Sequence, residues 1–172
     1  MDGTPAREPL MMTLSVRRPV ADEFEISGEY LQTTDLWTPD HPHMGIDYKC
    51  PTGTWVYSCT VQGVVHAIHN AASGWMSDFG LCVVVKARHP ETGQDWYFLY
   101  AHLSRVNVSV GQIVNPGQLI GLSGDTGNVT GPHLHIQVNT TPQFSRIEAE
   151  TGDPQLWMRE GQNPPVVPPV KP

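Results

Sequence analysis

Long hydrophobic runs are absent from this sequence, and so is the N-terminal pattern of a secreted protein. No stretch approaches the roughly 18 apolar residues that a membrane-spanning helix needs. The first residues, Met1 to Pro9, are polar and lack the apolar segment of a signal peptide. We therefore expect no membrane span, and either residence in the cytoplasm of the producing cell or release by a route other than ordinary secretion.

Basic residues are scarce, and convincing helical periodicity is lacking. Lys and Arg total 10 against 17 Asp and Glu, a formal net charge of −7. This balance argues against a nucleic-acid-binding protein, because such proteins display clustered Lys and Arg. Gly and Pro, in contrast, are frequent, with 16 of each in 172 residues. Many turn residues, without a helical period in any window of about 11 residues, predict an all-β or nearly all-β fold of short strands.

Cysteine is also sparse. The sequence has an odd number of cysteines, namely Cys50, Cys59 and Cys82. One thiol is therefore left over even if Cys50 and Cys59 pair across adjacent strands. None of the three has the C-x-x-C spacing of a zinc knuckle. We predict reduced, mostly buried thiols without a chemical role.

The chain divides into an N-terminal arm, one domain and a C-terminal tail. Residues 1–19 are weakly patterned and form the predicted arm, and residues 20–160 form the predicted domain. Residues 161–172 are rich in proline and should be extended, polyproline-like chain. Within the domain, apolar segments between turn clusters predict strands at Gly45 to Tyr48, Trp55 to Ser58, Gly63 to Ile68, Leu81 to Ala87, Trp96 to His102 and His133 to Val138.

A further strand, tight turn and strand are predicted over Gly111 to Gly121. Pro116 and Gly117 suit the central positions of a type II turn, because Gly accepts the positive φ that this turn requires. Similar hairpins occur in biotinyl and lipoyl carrier domains, which place a modifiable Lys at the hairpin tip. No Lys lies between Lys86 and Lys171, so a carrier function is excluded.

Two histidine motifs are candidates for a metal site. His43 and Asp47 form an H-x-G-x-D motif, and His133 and His135 form an H-x-H motif. A catalytic zinc site uses three protein ligands, such as His nitrogens and a carboxylate oxygen, and keeps one position open. In a strand, His133 and His135 point to the same face, roughly 6–7 Å apart. They can therefore share one metal site, or one can bind the ion while its neighbour handles a proton.

Backbone geometry restricts the first motif. In a fully extended chain the Cα atoms of His43 and Asp47 would lie about 13 Å apart, too far to share one ion. The chain must bend between them, and Gly45 supplies the conformational freedom. A third histidine, His102, lies in Tyr100-Ala101-His102-Leu103, the end of the apolar run from Trp96 to Leu103, where a histidine on its own is more often structural than catalytic.

Together, these motifs resemble peptidase family M23, the lysostaphin- and LytM-like zinc endopeptidases of bacterial cell walls. The resemblance runs from about His43 to Val138 and keeps the family's order and spacing. The matching residues are His43-x-Gly45-x-Asp47, Pro51-x-Gly53-x-x-Val56, Gly63-Val64-Val65, Tyr100-Ala101-His102-Leu103, Val110-Gly111-Gln112, Gly117-Gln118-x-Ile120-Gly121 and Gly124-x-Thr126-Gly127-x-x-Thr130-Gly131-Pro132-His133-Leu134-His135.

The resemblance implies a role for each candidate residue of the site. His43, Asp47 and His135 are the implied ligands of one Zn²⁺ per chain, and His133 and His102 are the implied unligated histidines beside the attacking water. The sequence has no H-E-x-x-H motif, in which a Glu moves the proton. We therefore expect His133 to act as general base, while His102 orients the water or steadies the anionic intermediate.

The resemblance also implies a fold, a mainly antiparallel sheet in a barrel-sandwich of the duplicated-hybrid-motif kind, with a groove along one face. His41, Tyr100 and Thr130 are the predicted groove-lining residues. The remaining histidines, His66, His69 and His89, are expected at the surface.

The implied activity is hydrolysis of the cross-links or stem peptides of bacterial peptidoglycan. Without a signal peptide or companion domain, the chain suits a phage lysin or a virion- or tail-associated wall hydrolase. Its arm and Pro-rich tail would then attach to phage proteins. Two alternatives stay open: a non-catalytic wall-binding or activator module, and a structural tail component.

Overall fold

The computed structural model describes residues 18–70, 75–88, 93–144 and 150–158. The predicted tail, and the predicted arm except its last two residues, 18 and 19, lie outside this part. Among the described residues, no helix is both long and apolar enough to cross a membrane.

Strands dominate the described residues, which confirms the predicted all-β fold. The six strands predicted by pattern are all present, with ends within two residues of those expected. The elements are β1 (Ile26–Gly28), β2 (Gly45–Tyr48), β3 (Trp55–Tyr57), β4 (Gly63–Asn70), a 3-10 helix (Trp75–Phe79), β5 (Leu81–Arg88), β6 (Asp95–Ala101), β7 (Leu103–Val106), β8 (Ile113–Val114), β9 (Leu119–Ser123), β10 (Leu134–Asn139), β11 (Thr151–Gly152) and α1 (Pro154–Trp157).

The strands form two antiparallel sheets. The large sheet has the order β1-β2-β10-β6-β5-β4-β8, with β11 paired to β10, and the small sheet has the order β3-β9-β7. The main hydrophobic core combines residues of both sheets, such as Val56 and Ile120 of the small sheet with Val83 and Ile136 of the large one. The core therefore lies between the sheets, and each fully buried aliphatic side chain in it contributes roughly 1.5–3 kcal/mol to folding.

The large sheet is covered on its second face as well. Cys82 and Val84 of β5 pack there with Met76 of the 3-10 helix and with Phe144. Because successive side chains of a strand point to opposite faces, a strand covered on both faces needs a continuous apolar run. This accounts for the unbroken run Leu81 to Val85.

The segment Gly111 to Gly121 differs from the hairpin that its sequence predicts. The turn itself is confirmed, since Gln118 N donates to Asn115 O at 3.0 Å and Gly117 has a φ of +74°. However, β8 pairs with β4, whereas β9 pairs with β3 and β7. The turn thus carries the chain from the large sheet to the small one. It does so because Val114 and Ile120 are both buried in the core between the sheets.

All three cysteines are free and buried, which confirms the sequence prediction. Burial raises the pKa of the Cys59 and Cys82 thiols to about 12, so both stay protonated.

Candidate metal centre and its histidine cluster

The register of two neighbouring strands brings the predicted ligands together. His135 of β10 lies directly opposite Asp47 of β2, and His43 precedes β2 by two residues. His135 Nδ1 lies 2.8 Å from Asp47 Oδ1 and 3.1 Å from His43 Nε2. The third side of the triangle, from His43 Nε2 to Asp47 Oδ1, is 3.3 Å. All three residues are buried.

Backbone and side-chain acceptors orient both histidine rings. His43 Nδ1 lies 2.9 Å from Glu29 O, and because a carbonyl only accepts, this nitrogen carries the proton and Nε2 is left for an ion. On the other ring, His135 Nε2 faces Gln137 Oε1 at 3.5 Å, which leaves Nδ1 for the ion. Gln137 is held in turn, since its Nε2 donates to Asn139 Oδ1 at 2.9 Å. Such outer hydrogen bonds set the tautomer of metal-binding histidines.

The arrangement of these three atoms fits a zinc ion. Two His nitrogens and one carboxylate oxygen are the donor set of many catalytic zinc sites, and ligands of a tetrahedral zinc lie about 3.3–3.5 Å from one another. The side chains present distances close to this before any ion is added. The residues therefore fit the group that the sequence resemblance implies.

The protonation of the ligands also suits metal binding. Burial by itself disfavours the charged form of Asp47, but without an ion the neighbouring His135 and His43 rings outweigh this effect and hold the pKa of the carboxyl well below its usual range. Burial lowers the pKa of His135. A charged carboxylate and a neutral imidazole are the forms that bind a metal.

His102 and His133 form a second pair beside this triangle. Their ring centroids are 4.5 Å apart, and His133 Nε2 lies 3.7 Å from Asp47 Oδ1. Each ring is held through its Nδ1 atom. His133 Nδ1 donates to Gly131 O and His102 Nδ1 donates to Thr126 O, both at 2.9 Å. The Nε2 atoms are therefore the ones left for proton chemistry.

The two histidines of this pair differ in environment. His133 is partly exposed, whereas His102 is 6% exposed. Burial, followed by repulsion from His135 and His133, lowers the pKa of His102 to about 3, so this ring is neutral near pH 7. His102 also has a φ of +59°, which is uncommon for a residue with a side chain. Its position between β6 and β7, where the chain leaves one sheet for the other, requires this sharp turn.

Of the three residues predicted to line the groove, two lie at the surface and one lies in the core. His41 and Thr130 are exposed, whereas the prediction for Tyr100 is wrong. Tyr100 is 0% exposed and belongs to the main core, where its hydroxyl lies 3.0 Å from Cys59 N and accepts that hydrogen bond. The reason is strand alternation: Ala101, the next residue of β6, is the one that faces His135.

Two of the other histidines, His66 and His69, lie on β4, which β5 and β6 separate from β10 in the large sheet. His66 is exposed, which confirms the prediction, and His69 is partly buried near the end of β4. His89 lies outside the described residues.

Sequence reasoning missed two neighbours of the ligands, Gln137 and Trp37. Gln137 was within reach of a sequence argument, because residues two apart in a strand share a face, and it follows His135 at that spacing. Trp37, whose ring stacks on His43 at a centroid distance of 4.2 Å, lies in a segment without periodicity and had no such signal.

Gly45 contributes space rather than the left-handed freedom that its position suggested, since its φ is not positive. A Cβ here would clash with Ile136 O and lie 2.6 Å from His135 Cε1.

We expect Gly45→Ala to lower the melting temperature and weaken zinc binding, because the carbonyl of Ile136 cannot move away and the ring of His135 must shift. Thermal unfolding and zinc titration check this. Gly131→Ala is the control, because a Cβ there meets nothing within 4 Å; equal effects of the two substitutions would contradict the steric explanation.

The fold and the donor set together define a β domain built around a candidate metal centre. The model of peptidase family M23 matches residues 41–147. This is more than half of the chain, and the chain belongs to peptidase family M23.

Two characterised relatives illustrate the similarity. The chain is 42% identical over 97 residues to the peptidoglycan DD-endopeptidase ShyA of Vibrio cholerae, a match that covers 56% of this chain and 20% of that protein. It is 36% identical over 117 residues to the glycyl-glycine endopeptidase ALE-1 of Staphylococcus capitis, covering 68% of this chain and 29% of that protein. The chain thus spans less than a third of the length of these relatives.

Solved structures show the same fold. The catalytic domain of lysostaphin from Staphylococcus simulans superposes with a TM-score of 0.61 at 28% identity, covering 78% of this chain and 91% of that chain. A zinc-containing peptidase from Vibrio cholerae gives a TM-score of 0.64 at 27% identity, covering 87% of this chain and 41% of that chain.

Proposed function

We propose that this domain is a zinc-dependent endopeptidase that hydrolyses amide bonds in the peptide part of bacterial peptidoglycan. The observation that carries the proposal is the convergence of His43, Asp47 and His135 on one point, with His133 Nε2 only 3.7 Å from the Asp47 carboxylate. The names of the relatives supply the substrate class, because they include peptidoglycan DD-endopeptidases and a glycyl-glycine endopeptidase.

The three ligands would hold the zinc ion, which when bound supplies Lewis-acid chemistry by polarising a peptide carbonyl and acidifying water. His133 is the general base. Its Nδ1 proton is committed to Gly131 O, so Nε2 has the lone pair that accepts the proton of the attacking water. The same nitrogen then passes the proton to the leaving amine.

His102 has the complementary role of orienting the water. Because its Nδ1 donates to Thr126 O, a neutral His102 presents a lone pair at Nε2 and accepts a hydrogen bond. Its pKa of about 3 keeps it in this state near pH 7. Of the two roles that the sequence left open for His102, this favours water orientation over stabilisation of an anion, which would need a proton on Nε2.

Product analysis tests the proposed reaction. We expect incubation of purified peptidoglycan with the zinc-loaded protein to release one new amino group and one new carboxyl group per cut, without new reducing sugar ends. Mass spectrometry of the fragments, from a panel of walls with glycine bridges or direct D-amino-acid cross-links, identifies the bond. New reducing ends would contradict a peptidase and indicate a glycosidase.

Two other functions remain testable by the same panel. A non-catalytic wall-binding or activator module would bind the walls without releasing fragments, and a structural tail component would do neither. A role in a phage particle or in phage lysis stays a prediction, and so does attachment through the arm or the Pro-rich tail.

A further inference from the structure

The ring of Trp37 lies flat on the ring of His43, a proposed zinc ligand. Their centroids are 4.2 Å apart and their planes differ by 18°. Every other residue of the segment 33–41 is exposed, and Trp37 alone is partly buried there. An aromatic side chain in an otherwise exposed loop is thus packed on the metal centre rather than on the hydrophobic core.

Hydrogen bonds hold the loop that carries Trp37. At its base, Leu31 N donates to His43 O at 2.7 Å and His43 N donates to Gln32 O at 3.0 Å. Within the loop, Thr34 N donates to Trp37 O at 2.7 Å and Trp37 N donates to Thr34 Oγ1 at 3.3 Å. The loop is therefore tied to His43 itself, and the position of Trp37 relative to that ligand is set by the backbone.

Trp37 and two of the proposed ligands also lie close to the same residue of β1, Gly28. A Cβ built on Gly28 of β1 would lie 2.9 Å from Asp47 Oδ2, 3.1 Å from His43 Cε1 and 3.1 Å from Trp37 Cη2. Two proposed ligands and the indole ring of Trp37 thus lie around Gly28, where the backbone has no side chain. His43 is held at its edge by Glu29 O and on its face by Trp37.

We propose that Trp37 is a positioning residue of the metal centre, which fixes the plane of the His43 imidazole and so directs Nε2 at the ion. The hydrogen bond to Glu29 O restrains rotation of the His43 ring about its Cβ–Cγ bond from one edge only, and the stacked indole restrains it from the face as well. A pre-oriented ligand loses less entropy when it binds. The inference rests on the zinc site of the proposed function but not on any activity towards cell walls.

Zinc affinity measured against a competing chelating dye tests the inference. We expect Trp37→Ala to weaken zinc binding about 10- to 100-fold, the usual effect of losing an outer-sphere partner of a ligand. Trp37→Phe should recover most of the affinity, because a phenyl ring can still stack. Leu36→Ala is the matched control: Leu36 lies in the same loop, is 71% exposed and should have no effect. Thermal unfolding of the zinc-free variants separates loss of affinity from loss of fold, and Trp37→Phe carries the test if Trp37→Ala does not fold.

Fluorescence supplies a second readout, which reports whether zinc binding changes the surroundings of Trp37. Zinc binding should alter the tryptophan emission of the native protein, and this change should be absent in Trp37→Phe. Equal zinc affinity of Trp37→Ala and the native protein would overturn the inference. Zinc binding by the native protein without any wall hydrolysis would instead count against the proposed function only. A native protein that binds no zinc would overturn both.

Discussion

Replacing His133 with alanine is expected to reduce wall hydrolysis about 100- to 10,000-fold, the usual contribution of a general base, while the zinc content stays that of the native protein. Hydrolysis and zinc content are expected to respond differently because of the geometry of the site. His133 Nε2 lies 3.7 Å from Asp47 Oδ1 and outside the close triangle of donor atoms, whereas His135 Nδ1 lies 2.8 Å from it. The measurements are clearing of purified cell walls and metal analysis of the same samples.

His66→Ala is the control for this substitution, because His66 is exposed on β4, away from the metal centre. It should leave both activity and zinc content unchanged. Loss of zinc from His133→Ala would make His133 a ligand instead of the base. Full activity of His133→Ala would move the proton-accepting role to another group.

Removing zinc with a chelator is expected to abolish hydrolysis, and added zinc is expected to restore it. The fold should survive, because the main hydrophobic core contains none of the three proposed ligands. The zinc-free site also avoids an unpaired buried charge, because without the ion His135 Nδ1 can carry the proton and donate it to Asp47 Oδ1, 2.8 Å away. Circular dichroism and wall clearing, measured before and after zinc is added back, check both parts.

Added magnesium is the control for the chelation experiment, because Mg²⁺ prefers oxygen ligands and should not restore activity to a site with two nitrogens. The zinc-loaded protein should also melt at a higher temperature than the zinc-free form, because an ion that binds only the folded state stabilises it. Full hydrolysis in the presence of an excess of chelator would contradict the metal-dependent mechanism.

Much of the fold was accessible from local sequence pattern. Strand β2 has the predicted ends, and the strand predicted over Leu81 to Ala87 is one residue longer. Such elements depend on alternation, apolar runs and turn residues within a few positions of one another, and the sequence displays these directly. The turn at Pro116 and Gly117 was predictable for the same reason, because its geometry depends only on neighbouring residues.

The partners of those elements were not accessible in this way. The strands on either side of the Pro116–Gly117 turn belong to different sheets, and Tyr100 faces the core although its sequence neighbours belong to the histidine motif. The first feature depends on which distant strand lies alongside and the second on which face of the sheet the core forms, and a local pattern contains no information about either.

The sequence by itself determined the fold class, the family resemblance and the residue types of the candidate metal site. Tertiary structure alone decided how those residues meet: which nitrogen of each histidine faces the other donor atoms, and that Trp37 lies against His43. His43 and His135 are 92 positions apart. Only the register between β2 and β10, together with the loop tied to His43, places their nitrogens 3.1 Å from each other.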